Sequence, residues 1–174
     1  RQFAFRDTEN DFFALYTLKD DGDRIWVGTE MGLVLFSKIL FGGAIEDSYS
    51  LFGNLNAAPS VNDIALTTDS IWIATSEGLA AARRTTPALL KAPTSWKTFD
   101  VGTYPELGDR AISRVLEYAG EMYIATSRDV FRLDRGLDTV FTGVGLGSGT
   151  FHADIRIDND TLFYYYGDTL GFGM

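Results

Sequence analysis

One five-residue pattern recurs four times along the chain, and it leaves room for few folds. Ile25-Trp26-Val27-Gly28-Thr29, Ile71-Trp72-Ile73-Ala74-Thr75, Met122-Tyr123-Ile124-Ala125-Thr126 and Leu162-Phe163-Tyr164-Tyr165-Tyr166 align on their aromatic second residue at spacings of 46, 51 and 40. The alignment extends both ways without a gap. Eleven residues before the aromatic stand Leu15, Val61, Ile112 and His152, and eight before it Leu18, Ile64, Val115 and Ile155. Seven after it stand Leu33, Leu79, Val130 and Leu170, so that only His152 breaks the aliphatic columns. A repeat of ~40–50 residues is the size of one four-stranded β-propeller blade.

Each copy reads as strands punctuated by turns. Val61–Thr67 and Ile112–Tyr118 mix β-branched and aliphatic residues as buried strands do. Asp20-Asp21-Gly22-Asp23, Thr68-Asp69-Ser70, Ala119-Gly120 and Asp158-Asn159-Asp160 follow as hairpin signals. The aromatic strand comes next, then Gly32, Gly78, Asp129 or Asp168 near a second turn, then a third strand at 33–37, 79–83, 130–134 and 170–172. A more variable fourth strand carries Tyr49 and Phe52, Trp96 and Phe99, or Phe141. Ala80 to Arg84 is alanine-rich, yet it falls in the third-strand column, and the repeat overrides helix propensity there. Gly28, Ala74 and Ala125 leave room for adjacent sheets to pack, and Trp26, Trp72 and Tyr123 fill the space between them.

The expected fold is all-β: about four antiparallel four-stranded blades at 11–53, 60–100, 111–142 and 151–174. Residues 1–6 read as the last strand of a preceding or closing blade. Either that strand closes a small four-bladed ring, or the chain is a segment of a larger propeller; the second is preferred. On that reading the remaining blades come from the same or another chain.

Composition narrows the function. A net charge of −9 and a pI near 4.5 argue against nucleic acid and against anionic membrane surfaces. No apolar stretch reaches the ~20 residues of a membrane-spanning helix. No basic segment followed by an apolar one opens the chain, so no signal peptide is visible. The absence of cysteine excludes disulfides and thiolate catalysis.

The stretches Asp20–Leu33 and Thr68–Leu79, each an acidic turn, an Ile-Trp strand and a Gly-Leu pair, resemble the two-component-regulator propeller repeat. The third copy departs with Asp129-Val130, and the fourth is weaker still. The resemblance covers about residues 11–172. It implies seven-bladed propellers in the periplasmic sensor part of bacterial hybrid histidine kinases and in related exported proteins, where they detect carbohydrate fragments or support dimerisation. A periplasmic or extracellular location follows from the resemblance alone. Nothing in the chain resembles a kinase or receiver domain.

Candidate sites are few. His152 stands in a strand column, where a core or channel role outweighs catalysis, because a general base needs a partner in reach. The Asp-rich turns at 20–23 and 158–160 could hold calcium weakly, but they lack the spacing of a calcium loop, and turn geometry alone explains them. No cofactor is expected.

Nine residues before each aromatic stand Thr17, Asp63, Arg114 and Asp154, a column that lines the channel of a propeller. A register-fixing ion-pair network is the leading reading of it, and a polar binding funnel the alternative. The loops after the second strand, carrying Glu30, Glu77 and Arg128, and the connectors at 54–60 and 104–110, carrying Arg110, emerge on one end. Function concentrates on such loops. Trp96 and Tyr104 could stack on a sugar, though core packing suits Trp96 better.

The function expected is a non-catalytic ligand-sensing or protein-interaction module of an exported bacterial protein, taking a carbohydrate or another small molecule. A structural assembly scaffold and a propeller-type carbohydrate lyase or hydrolase are the alternatives. A polar cluster around a funnel favours sensing, a flat exposed apolar face favours assembly, and a histidine or carboxylate pair facing one pocket favours an enzyme.

Overall fold

The computed structural model describes residues 14–107, 111–126, 129–133, 141–143 and 154–165. Their strands form three four-stranded antiparallel sheets and one two-stranded pair, hydrogen-bonded in chain order. Sheet one holds β1 (Leu15–Asp21), β2 (Arg24–Thr29), β3 (Gly32–Ser37) and β4 (Ala44–Tyr49). Sheet two holds β5 (Val61–Leu66), β6 (Ser70–Thr75), β7 (Gly78–Arg83) and β8 (Trp96–Phe99). Sheet three holds β9 (Ile112–Tyr118), β10 (Glu121–Thr126), β11 (Val130–Leu133) and β12 (Phe141–Gly143). The pair is β13 (Asp154–Asp158) and β14 (Thr161–Tyr165). The only helix among the described residues is a few 3-10 turns in the connectors. The expected strands at 1–6 and 170–172 lie outside the described residues.

The recurring residues have physical tasks. The buried threonine that ends the second strand organises the turn after it. Thr29 Oγ1 donates to Gly32 O at 3.0 Å and accepts from Met31 N at 3.2 Å. Thr75 does the same with Gly78 O and Glu77 N at 2.8 and 3.1 Å. Thr126 pairs likewise with Asp129. Gly28 is small because a Cβ there would lie 2.5 Å from Val61 O of the next sheet. The hairpins at Ala119-Gly120 and Asn159-Asp160 both run through positive φ, as two-residue turns between twisted strands require.

The sheets stack in order. Each first strand lies against the first strand of the next sheet: β1 on β5, β5 on β9, β9 on β13. Between sheets one and two, Trp26, Leu33, Leu35, Tyr49 and Phe52 meet a face of Ile64, Ile71, Ile73, Ala80 and Ala82. Between sheets two and three, Ala74, Leu79, Ala81 and Phe99 meet Val115, Met122, Ile124, Phe131 and Leu133 in the same repeat positions. Trp72 packs against this second cluster and Tyr123 against the third, as the aromatic column anticipates.

Volumes are exchanged between the two interfaces. Large Leu35 accompanies small Ala80 and Ala82 in the first; small Ala81 accompanies large Phe131 and Leu133 in the second. Interiors pack at crystal-like density, so a bulky side chain on one sheet calls for a small one across from it. The alanine run of β7 is thus a strand because its neighbours fill the space.

Candidate functional site

The first strands are sheet edges, and one row of their backbone groups has no ladder partner. Each of the three complete sheets also carries a bulge at the same repeat position: Tyr16, Asn62 and Ser113 are the extra residues. The bulge re-aims the residues around it, and these reach across to the neighbouring sheets. Asp63 Oδ1 accepts from Thr17 Oγ1 of sheet one at 3.2 Å and from Ile64 N of its own strand at 2.9 Å. Its Oδ2 accepts from Val115 N of sheet three at 3.2 Å. One buried carboxylate therefore ties three sheets. Asn62 Nδ2 adds a hydrogen bond to Ile112 O at 2.9 Å, and Ser113 Oγ donates to Ala125 O at 3.0 Å. The next residue of the column, Arg114, is half-buried on β9, and Asp154 begins β13.

The loops of one end converge as the repeat implies. The connector after sheet one reaches the second-strand turn of sheet two, where Ser76 N donates to Ser60 O at 3.1 Å and Asn56 Nδ2 to Glu77 Oε2 at 2.7 Å. Asn54 bonds Thr98 and approaches Asp100, whose Oδ1 accepts from Gly102 N and Thr103 N at 2.8 and 3.0 Å. Asn54, Leu55, Asn56, Glu77, Asp100 and Gly102 line a cleft of about 230 Å³. Of the predicted loop residues Glu77 lies in it, together with Asn54, Leu55 and Asn56 of the predicted connector at 54–60. Glu30 sits exposed in the equivalent turn of sheet one, and Arg110 and Arg128, like His152, lie outside the described residues. Asn54 and Asn56 were marked only through their connector at 54–60, and Asp100 was not singled out from the sequence, since no repeat position marks it. Trp96 is core: its Nε1 donates to Leu90 O at 2.8 Å, and Phe52 meets it edge-on with ring centroids 4.9 Å apart.

The opposite end carries charge. Arg84 of sheet two bonds Asp21 of sheet one at 2.6 Å, and Trp26 Nε1 donates to the same carboxylate at 3.0 Å. Burial pushes the Asp21 carboxyl up, but the Trp26 and Arg84 hydrogen bonds and the charges of Arg84 and Arg24 hold it below the usual range. Arg24 forks onto Glu46 at 2.6 and 2.8 Å. Asp20 is held by Lys38, which lowers its pKa, and by Gly22 N. These residues of the Asp-rich turn thus have protein partners, and among the described residues no group of three or more metal-ligating side chains comes together. The Tyr49 hydroxyl is buried without a hydrogen-bond partner, and burial, with Asp47 and Glu46 nearby, raises its pKa.

Comparison with solved structures finds chains that share this fold. Two structures of the extracellular domain of BT4673 from B. thetaiotaomicron match. One, assigned to a one-component system, has a TM-score of 0.61 over 89% of this chain; the other, assigned to a hybrid two-component system, has 0.65 over 98%. Both are 17% identical to it. PorZ, a surface component of the type-IX secretion system of Porphyromonas gingivalis, matches at 0.57 over 90% of the chain with 15% identity. The chain spans about a fifth of these proteins, 19–23% of their length. At such identities the likeness is one of fold. No protein-family model and no curated protein matches the chain.

Proposed function

We infer that the sheets are successive blades of a larger β-propeller and that the segment serves an exported bacterial protein as a non-catalytic sensing or interaction module. The observation that carries the reading is the loop-end cleft. Three separate segments bring two asparagines and two carboxylates together there, on the end where the connectors gather. Its carboxylates accept hydrogen bonds from Asn56, Gly102 and Thr103, an arrangement that fixes shape and offers amide and carboxylate edges to a polar, uncharged ligand such as a sugar. The extracellular setting of the BT4673 domains and the surface setting of PorZ support an exported module.

The test is calorimetric titration of the chain with neutral oligosaccharides and with extended peptides, beside Glu77→Gln and Asn56→Ala. Binding by the parent chain that is lost in both variants supports the cleft as the seat of recognition. Binding that survives both moves the site elsewhere. No binding by either probe class favours the assembly scaffold.

A further inference from the structure

Another cleft, of about 500 Å³, opens on the charged end, lined by residues of sheet one and by Arg84 of sheet two. Its size is within the ~300–1,000 Å³ of small-molecule sites. Both of its arginines are already fixed. Arg24 forks onto Glu46, and Arg84 bonds Asp21 Oδ1 at 2.6 Å and the carbonyls of Thr67 and Thr68 at 2.9 and 3.4 Å. These two neutral couples use four of the five lining charges and leave Asp23.

The Asp23 carboxylate has no hydrogen-bond or ion-pair partner among the described residues. Asp69, in the same repeat position of sheet two, is occupied: it accepts from Ser70 Oγ at 2.8 Å and from Thr67 Oγ1 at 3.3 Å. In sheet one those two positions hold Arg24 and Asp21, which are engaged elsewhere. Beside the charges stand Ile39 and Leu40, 66% and 43% exposed, on a turn pinned by Leu40 N donating to Ser37 Oγ at 3.1 Å. Thr85 and Thr86 take their places in sheet two, so neither the charges nor the aliphatic wall belongs to what the repeat needs for packing.

We propose that this cleft binds an ammonium or guanidinium group carried on an aliphatic body, with Asp23 as the counter-ion and Ile39 and Leu40 against the methylenes. The charge balance chooses the sign. The one unmatched lining group is a carboxylate, and the −9 of the whole chain attracts a cation further. An anion would have to displace Glu46 or Asp21 from its arginine. The aliphatic wall chooses the body, since long basic side chains lay their methylenes on apolar surface and keep the charged head at the polar edge. The site is separate from the loop-end cleft and does not depend on what that cleft binds.

Two indole signals in proton–nitrogen correlation spectra of the full chain read the test. Trp26 Nε1–H donates to Asp21 in the cleft, and Trp96 Nε1–H, held by Leu90 O in the core, is the internal reference. Hexylammonium and N-acetyl-Leu-Lys-amide should each shift the Trp26 signal saturably and leave that of Trp96 in place. The norleucine counterpart of the peptide, which lacks the charge, should bind roughly threefold to tenfold more weakly, and Asp23→Asn should weaken the lysine peptide by a similar factor. Ile39→Thr with Leu40→Thr, the residues of sheet two, should weaken both cations. Hexylammonium that binds as well as the peptide assigns the site to free amines, and a tighter peptide assigns it to a basic side chain. No saturable shift at millimolar probe overturns the proposal, as does equal binding of the norleucine peptide, tighter binding of hexanoate than of hexylammonium, or unchanged affinity in Asp23→Asn. The norleucine comparison uses the unaltered chain, so it decides even where a variant fails to fold.

Discussion

The interface between sheets one and two and that between sheets two and three share one backbone plan and differ in how they fill it. The first pairs Trp26, Leu35 and Tyr49 with two alanines and adds a charge lock, Arg84 on Asp21. The second reverses the sizes, with Ala74 and Ala81 on one side and Phe131 and Leu133 on the other. The two interfaces therefore take their bulky side chains at these positions from opposite sides of the gap. A sheet of this kind fits its own neighbour and not any neighbour.

Substitutions can break or sharpen that contrast. The largest effect is expected at Leu35→Ala, which leaves a cavity facing alanines that cannot close it: about 2–5 kcal/mol lost in denaturant unfolding. Adding Ala82→Leu should recover part of that loss, a coupling readable in a double-mutant cycle. Ala81→Leu overfills the second interface and should cost about 1–3 kcal/mol by the same measurement. Asp63→Ala acts on both interfaces at once, because it strips Thr17 Oγ1 of sheet one, Val115 N of sheet three and Ile64 N of its own strand of their acceptor, and should cost about 1–3 kcal/mol.

The charge lock should show in acid. The folded Asp21 carboxyl titrates below its unfolded value, so its contribution is full above about pH 4 and is lost as pH falls through the lowered value. The pair is about a quarter exposed, which keeps the effect below about 1 kcal/mol. Arg84→Gln should flatten that part of the stability–pH curve. The smallest effect is expected at Tyr49→Phe, which removes a buried hydroxyl without a partner and should leave stability within about 0.5 kcal/mol or raise it.

The architecture was legible because packing repeats. Trp26, Trp72, Gly28, Ala74 and the buried threonines face the same physical demand in each sheet, so their columns survive wherever sheets meet. The alanine run of β7 shows how far this goes, since its strand follows from register alone. The Asp63 column was visible as polar, and its reach to three sheets was not, because the bulge at Asn62 that aims it leaves no fixed residue type: Tyr16, Asn62 and Ser113 share only a position. The cleft was less legible still. Asn54, Asn56 and Asp100 lie in connectors of unequal length, where no column forms, and their convergence depends on a fold the local sequence does not encode.

Asp63 has a consequence for how the molecule comes apart. In a linear array of repeats each unit touches only its neighbours, and the ends can melt while the middle holds. A carboxylate shared by three sheets couples units that do not otherwise adjoin. Loss of sheet one removes a hydrogen-bond donor from the group that also holds sheet three, so fraying at one end is felt two units away. The described stack is thereby pushed toward a single cooperative transition, and a polar side chain sets the length over which order is shared.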